Sequence, residues 1–298
     1  MSAGTAPEPV LHSTSKWLKE NEKAFLPPVC NKMIHNYQLK VFYVGGPNQR
    51  KDYHLDEGEE FFYMRKGDMC LKVLYNDKFK DIKIREGEVF LLPGRIPHSP
   101  QRFENTVGLV VERDRLNFEK DCLRYYVDGS KEILFEKWFQ CTDLSTQLPP
   151  VINEFFQSEE YKTGKPTKDN IESNPPWVPD SARRLESPFS IKDWVANNFN
   201  EIFEKGSLDL WDKSYQSDII AHGYGSGKKC MVSRGGETLF LSIQGSPVKI
   251  TIGNHVYELK VDDTLLVPSN IEFTFDPAED SVVVSIQMNP EHRSRVGF

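Results

Sequence analysis

The 298-residue chain lacks the marks of several protein classes. It has no surplus of basic residues. Lys and Arg total 37 against 44 Asp and Glu, a formal charge of −7. Nothing in that balance drives counterion release at a phosphate backbone, so nucleic acid is not an expected partner. No stretch approaches the ~18 apolar residues of a membrane helix, so no membrane partner is expected. The opening MSAGTAPEPVLHSTSKWLKEN contains no apolar core of a secretory leader. There are only five cysteines, widely spaced and without a CxxC pair. Reduced thiols in a cytosolic protein are therefore expected, rather than a disulfide framework or a sulfur-ligated zinc or iron site. Hydrophobic residues make up 38% and charged residues 27%, which suits one large globular domain or two ordinary ones.

What is present is β pattern. Residues 1–14 are small and polar and are expected to form a mobile tail. Ser15 is the expected N-cap of a short helix over 16–25, stopped by Pro27 and Pro28. From Gln38 to Val111, short runs such as EFFYM, MCLKVLY and EVFLLP alternate with turn signals such as Lys66-Gly67-Asp68 and Asn76-Asp77. That spacing predicts a sandwich or barrel. Thr163 to Pro188 is Pro-rich and polar and reads as a linker. Ser190 then caps a helix whose Ile191, Trp194, Val195, Phe199, Ile202 and Phe203 share one face. A second set of β runs follows, from TLFLSIQ to SVVVSIQM. GEVFLLP (87–93) and DDTLLVP (262–268) match in pattern, so the two halves read as a diverged repeat.

Two of the seven histidines stand out by spacing. His54-x-Asp56-x3-Glu60-x6-Gly67 and Gly87-x5-Pro93-x-Arg95-x2-His98-x3-Arg102 resemble the paired motifs of the cupin superfamily. Those motifs run G-x5-H-x-H-x3,4-E-x6-G and G-x5-P-x-G-x2-H-x3-N. Three positions depart: Asp56 stands for the second histidine, Arg95 for the inner glycine and Arg102 for the terminal asparagine. The remaining set, His54, Glu60 and His98, is two imidazoles and one carboxylate, the usual ligand set of a non-heme Fe(II) oxygenase. Zinc could occupy the same set but would be redox-silent. Glu60 is chosen over Glu57 and Glu59 because it opens the run EFFYM, where alternation turns it inward and Glu59 outward. Arg102, four residues past His98, suits a substrate carboxylate as a bidentate partner. Glu112, at the end of the run GLVVE, is a candidate proton acceptor. Arg50 lies four residues before His54 in a polar stretch that could be an ordinary loop.

The assembled stretches resemble the 3-hydroxyanthranilate 3,4-dioxygenase family, in its animal single-chain form. They are PPVCN (27–31), GGPNQRKDYHLDEGEE (45–60), FLLPGRIPHSPQRFENTVGLVVER (90–113), LRYYV (123–127), LFEKWF (134–139) and TQLPPVINEFFQSEEYKTGKP (146–166). The resemblance implies a mainly β chain of two cupin domains with a few short helices. It divides as a catalytic cupin with the N-terminal helix (1–167), a linker (168–184) and a degenerate second cupin without metal (185–298). It implies an Fe(II) enzyme with one iron per chain and ligands His54, Glu60 and His98. Arg102 would pair with the substrate carboxylate, Glu112 would meet the amine and hydroxyl side, and Arg50 would lie near O2. The partners implied are 3-hydroxyanthranilate and O2. The product would be 2-amino-3-carboxymuconate semialdehyde, which closes to quinolinate on the tryptophan-to-NAD route. Bacterial members carry a C-terminal CxxC iron site, whereas this chain has only Cys230 in that half. The second cupin is expected to cover the first in place of a partner subunit, giving a cytosolic monomer. Two rivals are another cupin enzyme and a non-enzymatic binding bicupin.

Overall fold

The computed structural model describes residues 4–26, 30–180, 183–225 and 227–297. Its chain divides into two compact units, Tyr43–Pro188 and Gly4–Phe42 with Phe189–Phe298. The architecture is mainly β with a few short helices, as expected for two double-stranded β-helix barrels.

In the first unit one sheet places Glu60–Lys66 between Glu88–Leu92 and Val107–Arg113. The other runs Ile133–Phe139, Asp121–Tyr126, Tyr53–Leu55, His98–Arg102, Met69–Tyr75 and Lys78–Ile84. The short strand Tyr53–Leu55 thus lies between strands that follow it far along the chain. Met69, Leu71 and Val73 are buried and pair with Arg102, Pro100 and His98. This register fixes His98 and Arg102 on the buried face of their strand, two pleats apart. The edge strand Lys78–Ile84 buries only Ile82 and Ile84 and exposes its lysines, which blunts edge-to-edge pairing.

The second unit repeats the plan. One sheet holds Val10–His12, Thr264–Val267, Thr238–Gln244, Val282–Gln287, Asp218–His222 and Ser207–Asp209. The other holds Lys229–Val232, Glu272–Asp276, Val248–Ile252 and His255–Leu259. Phe240, Val248, Ile250, Phe273 and Phe275 pack in one apolar cluster between them. Ser190 caps the helix Ile191–Lys205 by accepting from the Asp193 amide at 3.2 Å, and Gly206 ends it in the left-handed conformation.

Two segments differ from the sequence reading, and a third carries no reading there. The chain start is no tail from Thr5 onward. Glu237 accepts from the Ala6 amide, from Thr5 Oγ1 at 3.2 Å and from the Leu39 amide at 2.8 Å. Val10–His12 pairs with Thr264–Leu266, so the N-terminal segment clusters with the second unit. Its helix begins at Thr14 after Ser13, gives way after Glu20, and continues as the 3-10 turn Glu22–Phe25; the expected stop at Pro27 and Pro28 lies outside the described residues.

The stretch expected as a linker belongs to the first unit. Trp177 lies edge-on to Trp138 at 5.0 Å and donates its ring N–H to the Lys120 carbonyl at 2.9 Å. Arg183 pairs with Glu59 at 3.1 Å, and the Glu172 amide donates to Glu136 at 3.0 Å. The segment is a docked strap whose anchors are single residues rather than a periodic pattern. Finally, Leu144–Gln157 is a helix despite Pro149 and Pro150. Its Val151 and Phe155 are buried against Leu123, Tyr125 and Phe135, with Phe155 stacked on Tyr125. That packing outweighs the lost backbone bonds.

Candidate metal centre

His54 and His98 are Cα partners on adjacent antiparallel strands, and Glu60 opens a strand of the opposite sheet. His54, Asp56, Glu60 and His98 are all buried, and each offers a donor atom within 4.8 Å of the others. His98 Nε2 lies 3.0 Å and His54 Nδ1 3.7 Å from Glu60 Oε1. The loops that carry these donors are pressed together. A Cβ on Gly94 would stand 2.3 Å from the Glu57 carbonyl oxygen, so only glycine fits there. The Arg95 amide donates to the Asp56 carbonyl at 2.7 Å.

The second ring nitrogens are taken. His54 Nε2 meets Asp121 Oδ2 at 2.8 Å, and His98 Nδ1 meets the Ile96 carbonyl at 2.9 Å. A carbonyl only accepts, so His98 carries its proton on Nδ1 and turns the Nε2 lone pair toward Glu60. Asp121 likewise draws the proton to Nε2 of His54 and leaves Nδ1 facing the cluster. Two imidazole lone pairs and a carboxylate converging in a dry site are the donor set of a divalent transition metal, and the residues fit that group.

The same cluster binds protons tightly, so a metal at Nδ1 of His54 takes the place of a proton. Burial pulls the His54 imidazole down, but hydrogen bonds to Asp121 and Glu60 outweigh it and hold the ring up at about 10. Burial raises the Glu60 carboxyl, yet His98 and His54 hold it well below the carboxylate range. Asp56 is pushed up to about 7 by burial and by Glu60, against the pull of Arg115. So many charges of like and unlike sign in one dry site suit a cation at their centre.

The other expected site residues are distributed around this cluster. Arg102 is buried on the strand of His98, and its backbone bridges to Asn48 in both directions, at 2.9 and 3.0 Å. Glu112 is buried one step beyond the Val111–Phe61 pair, which brings it alongside Glu60. Burial and that neighbour raise its carboxyl, while Arg115 opposes them. Burial opposes the charge of Arg50, while Asp52 and, more weakly, Glu60 of the cluster favour it. Its guanidinium is paired with Asp52, with Nε 3.1 Å from Oδ1, and it borders a cavity of about 520 Å3 lined also by Tyr53, Tyr125 and Phe155.

Sequence reading names Asp56 only as a departure from the motif and does not reach Arg115 or Asp121. Asp56 was legible, since it stands where the cupin motif has a ligand. Glu57 and Glu59, with no part in the site, are not solvated either. Glu57 pairs with Arg95 at 2.5 Å and Glu59 with Arg183. Arg95 adopts a positive φ of 62° where the motif has glycine, and its side chain lies over Trp177 at 5.4 Å. Arg95, one of the three departures from the motif, is thus one of the residues that fasten the strap.

Paired β barrels with a two-histidine, carboxylate centre in one of them define a metal-binding cupin of the dioxygenase class. The fold resembles the solved salicylate 1,2-dioxygenase of Pseudaminobacter salicylatoxidans, with a TM-score of 0.57 over 99% of this chain and 87% of that one at 11% identity. The profile of the 3-hydroxyanthranilic acid dioxygenase family matches residues 10–156. The 3-hydroxyanthranilate 3,4-dioxygenases of Rattus norvegicus and Homo sapiens are each 47% identical to the chain, over 94% of it and 97% of their own length. That of Nematostella vectensis is 47% identical over 92% of the chain and 97% of its own length. The chain belongs to the 3-hydroxyanthranilic acid dioxygenase family.

Proposed function

We propose that the chain opens the ring of 3-hydroxyanthranilate with O2, giving 2-amino-3-carboxymuconate semialdehyde, which cyclises to quinolinate. The observation that carries the reading is the buried convergence of His54, Glu60 and His98 in a chain 47% identical to curated 3-hydroxyanthranilate 3,4-dioxygenases. These three residues would hold one Fe(II) per chain. The metal would supply a redox centre joining an electron-rich aminophenol to O2, which zinc cannot do.

The protein's own groups supply recognition and proton handling. Arg102, fixed on a strand, offers its guanidinium to the substrate carboxylate and sets the ring's orientation. Glu112, whose carboxyl is raised by burial, accepts a proton released as the amine and hydroxyl side of the substrate binds. Arg50 would stabilise negative charge developing on oxygen. The dry walls keep water from the reacting ring.

The second unit is read as a barrel without metal, its interior filled by Phe240, Phe273 and Phe275. We read the chain as a cytosolic monomer. All five cysteines are outside disulfides, and no helix among the described residues is long and apolar enough to cross a membrane.

The test is anaerobic loading with Fe(II) followed by 3-hydroxyanthranilate in air, monitored by the near-ultraviolet absorbance of the semialdehyde. A signal that needs iron and is not restored by zinc supports the reaction. Iron bound one per chain with no signal moves the reading to another cupin enzyme. Sedimentation of the iron-loaded protein tests the monomer.

A further inference from the structure

Arg115 is a buried arginine with three carboxylates on one guanidinium. Its Nη2 lies 2.9 Å from Asp121 Oδ2 and 3.1 Å from Asp56 Oδ2, its Nε lies 3.2 Å from both Asp121 oxygens, and its Nη1 pairs with Glu112. Asp121 Oδ2 is the same oxygen that meets His54 Nε2 at 2.8 Å. A continuous chain therefore runs Glu112–Arg115–Asp121–His54, from the substrate-side carboxylate to a metal ligand.

The loop between the two strands is built to present this residue. Arg113 forms a two-pronged pair with Glu119 at 2.6 and 2.7 Å. Glu119 also accepts the Leu116 amide at 2.7 Å, and its own amide donates back to the Leu116 carbonyl at 3.0 Å. Those bonds close residues 113–119 into a rigid turn and leave Arg115 pointing back under the metal cluster. Only a planar fork of five donors can span three acceptors in this way; an ammonium is a single point.

We propose that Arg115 is a positioning residue that couples the metal ligand His54 to the carboxylate Glu112. Through Asp121 it fixes the His54 proton on Nε2 and so directs Nδ1 at the metal. Through Nη1 it holds Glu112 at its station beside the substrate. The two tasks support one another, because Glu112 at Nη1 is one of the anchors that hold the guanidinium against Asp121. Loss of that anchor loosens Arg115 from Asp121, and so lowers the donor strength of His54. The proposal rests on His54, Glu60 and His98 being the metal ligands.

The test uses Co(II) as the probe on the full chain, with affinity read by chelator competition and geometry by the visible spectrum. His54→Ala measures the ligand reading alone; wild-type Co(II) affinity there would overturn that reading and, with it, the proposal. With that reading intact, Asp121→Asn, nearly isosteric, should weaken Co(II) about 10- to 100-fold, the usual effect of losing a carboxylate behind a metal-bound histidine. Arg115→Lys should also weaken it and change the spectrum. The discriminating measurement is a double-mutant cycle. Glu112→Gln should lower Co(II) affinity in the wild-type background and have at most half that effect, in fold terms, beside Arg115→Lys. An equal effect in both backgrounds is what direct attraction between Glu112 and the metal gives, and would overturn the coupling. Where Arg115→Lys fails to fold by circular dichroism, Asp121→Asn serves as the second background with the same two outcomes.

Discussion

His54 and His98 stand edge to face, ring centroids 5.2 Å apart and planes at 79°, and turn different nitrogens to the same point. The cause is local. Ile96, two residues before His98, offers its carbonyl to Nδ1, whereas His54 finds Asp121 across the sheet at Nε2. One ligand is set by its own loop and the other by a strand far along the chain. They should fail differently when their supports are removed.

Removing either imidazole should remove the metal. His54→Ala and His98→Ala are expected to abolish metal content and turnover together, as measured by elemental analysis of the purified variants after Fe(II) loading. Stoichiometric iron in either one would contradict the ligand assignment.

Arg102→Ala is expected to leave iron bound and to raise KM. A charge-assisted pair to a carboxylate is worth about 2–3 kcal/mol, which corresponds to roughly a 30- to 150-fold increase. Steady-state kinetics with measured iron content check this. An unchanged KM means that the carboxylate docks elsewhere.

Acid should weaken the second unit. Burial holds His35 and His222 down at about 3, aided by His12 at the first and Lys229 at the second. Their unfolded value is about 6.5, so the unfolded chain binds these protons more readily than the folded one. The stability they confer is fully present above about pH 6.5 and is lost as pH falls from there toward 3, at about 1.4 kcal/mol per pH unit for each. Urea midpoints between about pH 7.5 and about pH 5 should fall accordingly, and His222→Asn should flatten the slope. A pH-independent midpoint would show that these rings charge freely in the fold.

Trp177→Ala is expected to release the strap. The ring is buried against Trp138 and Arg95, and its loss should cost about 3–5 kcal/mol locally. Limited proteolysis should then cut between 165 and 185 while the β core survives. Resistance equal to the wild type would show that Arg183 and Glu172 hold the strap without the ring.

The sequence reads well where one side chain's type and spacing carry the physics. His54, Glu60 and His98 follow from motif spacing and strand alternation, and the Ser190 helix from its cap and apolar face. Asp56 stands as a departure because the motif asks for histidine, although a carboxylate at that place is also a donor. Arg115 and Asp121 leave no local mark, since an arginine six residues before an aspartate is commonplace and only the closed turn brings them under His54. The helix 144–157 hides behind two prolines, and the strap behind a composition that reads as loose. In each case contacts between residues distant in sequence outweigh the local signal.

Glu237 carries a consequence for how the chain is made. It gathers Thr5, Ala6 and Leu39 from the beginning of the polypeptide, and the strand at Val10–His12 finds its partner only at Thr264–Leu266. On a ribosome the segment from Thr5 to His12 emerges long before the residues it binds. The first unit, contiguous from Tyr43 to Pro188, can fold while that segment is still waiting. A stop codon late in the message would therefore strand both ends of the chain at once, the missing one and the one already made.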